Sequence, residues 1–311
     1  MTPLAAYIER AGFAPDTPVA VARCDESGTI EQVVTGIWPN GRPVAPTDHF
    51  YVASLTKQVT AAAVALLVRQ GSLDPDLSVA NYLGDLPPWS AIITPRQLAH
   101  HTSGLPAAGV VEPLAPGDWT EDFAFGITRE LQELSTPPGT AYAYSNLGYV
   151  LLARLVVELS GQPFDRFVAT RLFAPLGIEG VGFFDDIIEQ PQAPFLGPSL
   201  PLTSGDGGLW STARGFAHWL HRQNNDALGI ASLVEVPGRL NDGQPVAYGW
   251  GLGLRQYRSQ PLMIHGGEWP GAVAKAVRSP FYGLAVVAMA AGADFELLDT
   301  LVDATLNDSS R

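Results

Sequence analysis

The sequence predicts an α+β protein: an antiparallel sheet assembled from both ends of the chain, flanked by terminal helices, with an all-helical domain inserted between its strands. Three observations carry this. Apolar residues alternate with period two towards both ends, over residues 19–37 and 247–290. Between them, residues 54 to about 234 show helical spacing and long loops. Helical stretches close both termini, at 3–11 and 294–306. Period-two and helical spacing are the primary signals of local structure, and a helical block between two groups of strands points to one sheet closed from both ends. The expected boundaries are 1–53 with 240–311 for the sheet domain and 54–239 for the insertion. Ligand sites favour such junctions.

Taken in order, residues 3–11 form an amphipathic helix stopped by Gly12. Residues 19–23 and 30–37 are strands split by the turn Asp25-Glu26-Ser27-Gly28, and 49–53 is a third extended piece. The character changes over 54–70. Residues 60–68 are apolar on nearly every face, the mark of a buried central helix, and Gly71 ends it. Thr94 caps the next helix, with Pro95 at its first position. Helices follow at 146–160, closed by Gly161, and at 211–222. Four strands are expected at 247–255, 262–265, 272–279 and 283–290.

Composition sets the class. The chain has 311 residues, 46 % hydrophobic and 16 % charged, with a net charge of −13. That length buries a sizeable core, and the chain is too apolar for disorder. The acid excess argues against duplex nucleic acid, whose phosphates demand clustered cations. Cys24 is the single cysteine, so no intramolecular disulfide forms; it is expected as a small core residue at a strand end. No apolar run reaches the roughly 18 residues of a membrane span. The first residues lack the cationic lead and apolar stretch of a signal peptide, so the expectation is a cytoplasmic protein without a membrane partner.

Three short patterns carry chemistry. With two lysines in the chain, Lys57 and Lys275, a chance Ser-x-x-Lys is improbable, yet Ser54-Leu55-Thr56-Lys57 occurs where an extended run becomes the most apolar helix. Residues three apart on a helix share a face, with Cβ atoms about 5–6 Å apart. A serine hydroxyl needs a base to become a nucleophile, and burial with the positive end of a helix lowers a lysine towards that role. The same residues also suit a helix cap and a lysine stem packed on the core. The second pattern is Tyr144-Ser145-Asn146: a phenol able to relay a proton and an amide able to donate and accept. Aromatic packing and an asparagine cap would use these residues as well. The third is His265-Gly266-Gly267, ending a strand, where glycines let a substrate backbone approach and the imidazole could polarise a substrate or bind a carboxylate. A glycine-closed turn with a satisfied histidine is the alternative. His100-His101 and His218 with His221 lack a third ligand and are expected to be structural, so no metal is implied. Residues 249–253, Gly-Trp-Gly-Leu-Gly, lack dinucleotide-loop spacing and are expected as a strand of small residues near the site.

In this order the three patterns resemble the motifs of the serine β-lactamase and penicillin-binding protein superfamily, Ser-x-x-Lys, Tyr-x-Asn and Lys/His-x-Gly. Residues 94–106 (TPRQLAHHTSGLP), 138–160, 172–178 (LFAPLGI) and 204–219 (SGDGGLWSTARGFAHW) look like its class C β-lactamase-like branch, which includes family VIII carboxylesterases and D-aminopeptidases. The resemblance covers roughly residues 18–300 and implies the β-lactamase/transpeptidase-like fold. It implies Ser54 as the acylated nucleophile, Lys57 as its base, and Tyr144 as proton relay to the leaving group and to water. Asn146 would orient the substrate and Lys57, and the backbone N–H groups of Ser54 and Glu268 would form the oxyanion hole. His265 stands where typical β-lactamases carry lysine, and near its reference pKa of about 6.5 an imidazole is only partly charged. No class A-type deacylation glutamate is identifiable, and no Gly-x-Ser-x-Gly elbow is present.

The expected activity is therefore serine acyl hydrolysis of small esters, with D-amino-acid amides or peptides next and β-lactams less favoured. Acyl transfer on the same site and a penicillin-sensing protein that acylates without turnover are the other readings. The expected partner is a small ester or amide; no cofactor is implied. Loops 107–123 and 189–204 are expected to set specificity, and the oligomeric state is not legible.

Overall fold

The computed structural model describes residues 3–107, 121–184, 187–196 and 203–309. Six strands build one antiparallel sheet: β1 (Val19–Cys24), β2 (Ile30–Thr35), β3 (Gly253–Tyr257), β4 (Gln260–Trp269), β5 (Ala272–Ser279) and β6 (Leu284–Ala291). Their order is β2-β1-β6-β5-β4-β3, so the two ends of the chain meet where β1 pairs with β6, from Val19 opposite Ala290 to Cys24 opposite Ala285. The first hairpin turns at Gly28, whose φ of +86° suits glycine and whose N–H donates to the Asp25 carbonyl.

Both faces of the sheet are covered, and β1 alternates to match. Val19 and Val21 pack beneath two terminal helices, α1 (Leu4–Ala11) and α6 (Phe295–Ser309), with Leu4, Ile8, Leu298 and Val302. Ala20, Ala22 and Cys24 face the other way, into a larger core with α2 (Thr56–Arg69), α4 (Asn146–Ser160) and α5 (Ala213–Asn224). Small residues on that face let α5 lay Phe216, Trp219 and Leu220 close to the strands. Cys24 is fully buried, as expected of a small core residue.

Several expectations shift. The helix expected from residue 54 starts with a 3-10 turn at Ala53–Leu55 and becomes α-helical only at Thr56. The extended piece before it shortens to Phe50–Tyr51, which pairs with Trp210–Ser211 and, beyond it, Val181–Gly182. Ser211 is thus strand, and Thr212 caps α5 by accepting from Gly215 N–H. The strand expected over 247–255 is broken by a turn, because Gly251 lies at φ +72° with no room for a side chain against the Lys57 carbonyl. The strand expected to end at His265 continues to Trp269, since β5 goes on pairing with it up to Ala272. Of the two loops expected to set specificity, residues 108–120 and 197–202 lie outside the described residues. Among the described residues no helix is long and apolar enough to cross a membrane.

Candidate active site

Every residue from Phe50 to Leu67 is buried except Ser54, which is part-exposed. The hydroxyl therefore marks the one opening in an otherwise sealed segment. Ala53, just before it, takes φ +46°, a left-handed conformation costing a side-chain-bearing residue about 1–2 kcal/mol. The turn is over-determined around it: Leu55 N–H donates to the Val52 carbonyl and Thr56 Oγ1 to the Ala53 carbonyl.

Lys57, fully buried, donates from Nζ to Ser54 Oγ across 3.0 Å and to the Asp206 main-chain carbonyl across 2.6 Å. Threonines one turn apart hold that second partner in place. Thr56 Oγ1 accepts from Leu209 N–H, and Thr60 Oγ1 donates to the Gly205 carbonyl, clamping residues 205–209 along α2. Burial pushes the Lys57 pKa down from 10.5 to about 8, against an opposing pull from the Asp206 charge. Its amine lies 5.1 Å from the Tyr144 ring centre and 5.6 Å from that of Tyr149.

Burial pushes the Tyr144 phenol well above its ordinary pKa, and the nearby Ser54 hydroxyl partly offsets this. Asn146 begins α4, and its Oδ1 is buried without a hydrogen-bond partner among the described residues, so it makes no hydrogen bond to Lys57, whose amine bonds Ser54 and Asp206.

The β4 edge completes the site. Residues 253–257 of β3 pair with 260–264, whereas β5 takes the other side up to Trp269. Among the described residues no strand covers 265–269 on the β3 side. The glycines serve neighbours other than a substrate. A Cβ on Gly267 would lie 2.2 Å from the Val52 carbonyl oxygen and 3.2 Å from Ser54 N, and one on Gly266 would strike the Phe295 ring at 2.7 Å. Their side-chain-free faces thus let β4 press on the Ser54 amide from one side and receive α6 on the other. Glu268 follows with its side chain exposed.

His265 is buried, and both ring nitrogens are occupied within the protein. Nδ1 lies 2.6 Å from the Gly266 carbonyl and Nε2 2.9 Å from Tyr248 Oη. Of the two neutral tautomers, only the one with its proton on Nδ1 satisfies both, with the phenol donating to Nε2. Burial, helped by the Lys57 charge, lowers its pKa to about 4. A partly charged histidine offered to a substrate carboxylate is thus replaced by a neutral, internally satisfied one.

Sequence reasoning missed Asp206, Tyr149, Tyr248 and His101. Asp206 meets the amine through its main-chain carbonyl, which no side-chain pattern reveals. His101, expected with His100 to be structural, lies among the tyrosines of the site: 4.3 Å from Tyr144, 5.1 Å from Tyr149 and 4.8 Å from Tyr248, ring centre to ring centre. His100 does serve the scaffold, bonding Trp250 Nε1 and the Tyr248 carbonyl. Among the described residues no three His, Cys, Asp or Glu side chains gather as a metal site.

Comparison with known proteins agrees with this frame. The chain is 28 % identical to penicillin-binding protein 4* of Bacillus subtilis over 267 residues, covering 74 % of this chain and 58 % of that one. It is 26 % identical to the D-aminopeptidase of Brucella canis over 247 residues, covering 74 % and 47 %. The chain thus spans about half the length of these curated relatives. The crystal structure of D-amino acid amidase from Ochrobactrum anthropi SV3 superposes with a TM-score of 0.83 at 23 % identity, covering 98 % of this chain and 99 % of that one, and shares the fold. Residues 29–304 match the β-lactamase family, and the chain belongs to it.

Proposed function

We propose that this chain is a serine acyl hydrolase that works through an acyl-enzyme on small, uncharged esters. The observation that carries the reading is the buried Lys57 amine 3.0 Å from the part-exposed Ser54 hydroxyl, with its pKa lowered to about 8. Neutral Lys57 takes the Ser54 proton as Oγ bonds to the substrate carbonyl carbon. The carbonyl oxygen becomes an oxyanion held by the N–H groups of Ser54 and Glu268; losing one such donor typically costs about 10²–10³ in rate. As the intermediate collapses, the bond to the leaving oxygen breaks. Tyr144 protonates that oxygen and recovers a proton from the Lys57 ammonium. Water then gives a proton to the same pair as its oxygen bonds to the acyl carbon; the bond from that carbon to Ser54 Oγ breaks, and the pair returns the proton to Oγ, releasing the acid and free Ser54.

The neutral His265 supports substrates without a carboxylate, because an anion there would meet no imidazolium. Amides of D-amino acids are the second reading, favoured by the likeness to a D-aminopeptidase. We propose also that the sheet domain of residues 1–53 and 240–311 and the insertion of 54–239 meet at this site, the first supplying β4 and the second Ser54, Lys57 and Tyr144.

Fluorophosphonate labelling with peptide mapping tests the reading. One adduct on Ser54 is expected, with none on Ser54→Ala, and steady turnover of p-nitrophenyl acetate. A stoichiometric burst that stops would replace hydrolysis with sensing, ester formation with added alcohol would favour acyl transfer, and no adduct on folded protein would end the proposal.

A further inference from the structure

Resting on the acyl-hydrolase reading, we propose that His101 is a positioning residue that sets Tyr144 against Ser54 and Lys57. His101 follows the short helix α3 (Pro95–Ala99) and has φ +58°, a conformation that β-carbon sterics disfavour. In that conformation its carbonyl and its ring address the same piece of chain. The carbonyl accepts from Ala143 N–H at 2.9 Å, and Nδ1 accepts from Ser145 N–H at 3.1 Å. The two bonds bracket Tyr144 on both sides, and the imidazole lies on the Tyr144 ring, 4.3 Å between centres and tilted by 40°.

This arrangement needs a neutral ring. Nδ1 accepts, so the proton sits on Nε2. Nε2 is buried without a partner among the described residues, and the residue is 1 % exposed. A second proton would remove the acceptor for Ser145 N–H and place a cation close to Lys57 and His265. Burial, helped by the Lys57 charge, holds the pKa of His101 well below 6.5. A glycine or asparagine would satisfy the left-handed backbone alone. The side-chain acceptor aimed at the amide next to Tyr144 is what a purely structural turn would not require.

The test uses two replacements that keep the backbone. His101→Asn retains a side-chain acceptor near Nδ1, and His101→Gly removes acceptor and ring together. Acylation of Ser54 is followed with phenyl acetate and p-nitrophenyl acetate, which share an acyl group but differ in how much the leaving oxygen needs a proton. For His101→Gly the acylation rate on phenyl acetate is expected to fall about 100-fold, the order of loss for a misplaced catalytic group. The fall on p-nitrophenyl acetate should be smaller by about ten-fold, with substrate affinity nearly unchanged. His101→Asn should recover most of the loss. Equal losses on both esters, or His101→Asn no better than His101→Gly, would overturn the proposal. The wild-type enzyme supplies a second readout: ¹⁵N NMR should find His101 protonated on Nε2 alone at neutral pH, and a proton on Nδ1 would overturn it too. If wild type acylates on neither ester and takes no fluorophosphonate at Ser54, the hydrolase reading itself fails, whatever the NMR tautomer.

Discussion

The amine of Lys57 donates to the main-chain carbonyl of Asp206, 149 residues later in the chain, at 2.6 Å. That bond aims Nζ at Ser54, and among the described residues no carboxylate forms a salt bridge with the amine. A carboxylate salt bridge would stabilise the ammonium, whereas a carbonyl satisfies one N–H and leaves burial to dominate, so the amine titrates at about 8 rather than 10.5.

The pH profile follows from that. As the proposed base, Lys57 must be deprotonated to act, so kcat/KM should rise with pH and level off above about 8. The Asp206 charge holds the Lys57 pKa up, so Asp206→Asn should move this limb to lower pH. A limb that stays in place, or moves to higher pH, in the variant would contradict the assignment of Lys57 as base.

Lys57→Met keeps much of the buried stem and removes the amine. Losing the base should lower kcat/KM on p-nitrophenyl acetate by at least about 10³-fold. Ser54 labelling by fluorophosphonate should slow in parallel, while thermal stability stays near wild type or rises, because a buried polar group is lost.

Gly267→Ala places a methyl group 2.2 Å from the Val52 carbonyl oxygen and 3.2 Å from Ser54 N. Backbone cannot yield as a flexible side chain does, so β4 must back away from Ser54. A stability loss of about 1–3 kcal/mol is expected, with a larger fall in kcat than in KM as the oxyanion pocket opens. Unchanged kcat in a folded variant would place the pocket elsewhere.

Three buried histidines make stability depend on acid. His100 and His265 titrate at about 4, and His101 well below 6.5, all chiefly through burial. The folded pKa values lie below the unfolded one. Between about 6.5 and 4 the unfolded chain therefore binds protons that the native one does not, and stability falls as pH drops. The slope approaches about 1.4 kcal/mol per pH unit for each such group. Melting temperatures measured from pH 7 to 4 should decline, and less steeply in His265→Gln, which still donates to the Gly266 carbonyl and accepts from Tyr248.

His265→Lys exchanges a neutral ring for an ammonium at the edge of the site. Turnover of a carboxylate-bearing β-lactam relative to p-nitrophenyl acetate should rise at least about ten-fold if charge at this position discriminates, since a close ion pair at effective ε near 20 is worth a few kcal/mol. A ratio that does not change would mean that another group selects the substrate's charge.

Much of this protein was readable from local pattern. Period-two runs located five of the six sheet strands to within a few residues, and asparagine at 146 with glycine at 161 bounded α4 as expected. The pairing of Ser54 with Lys57 followed from helical spacing and from the rarity of lysine. Those features depend on residues close in sequence. Where β4 ended, where the 247–255 strand broke, and which groups surround Lys57 depended on approaches between distant segments: Gly251 on the Lys57 carbonyl, Gly267 on Val52, Asp206 beneath the amine, His101 around Tyr144. Chain order reveals which side chains are available. The state of a buried amine or imidazole is set by the dielectric and the dipoles that the packed molecule brings to it, and these belong to no local segment.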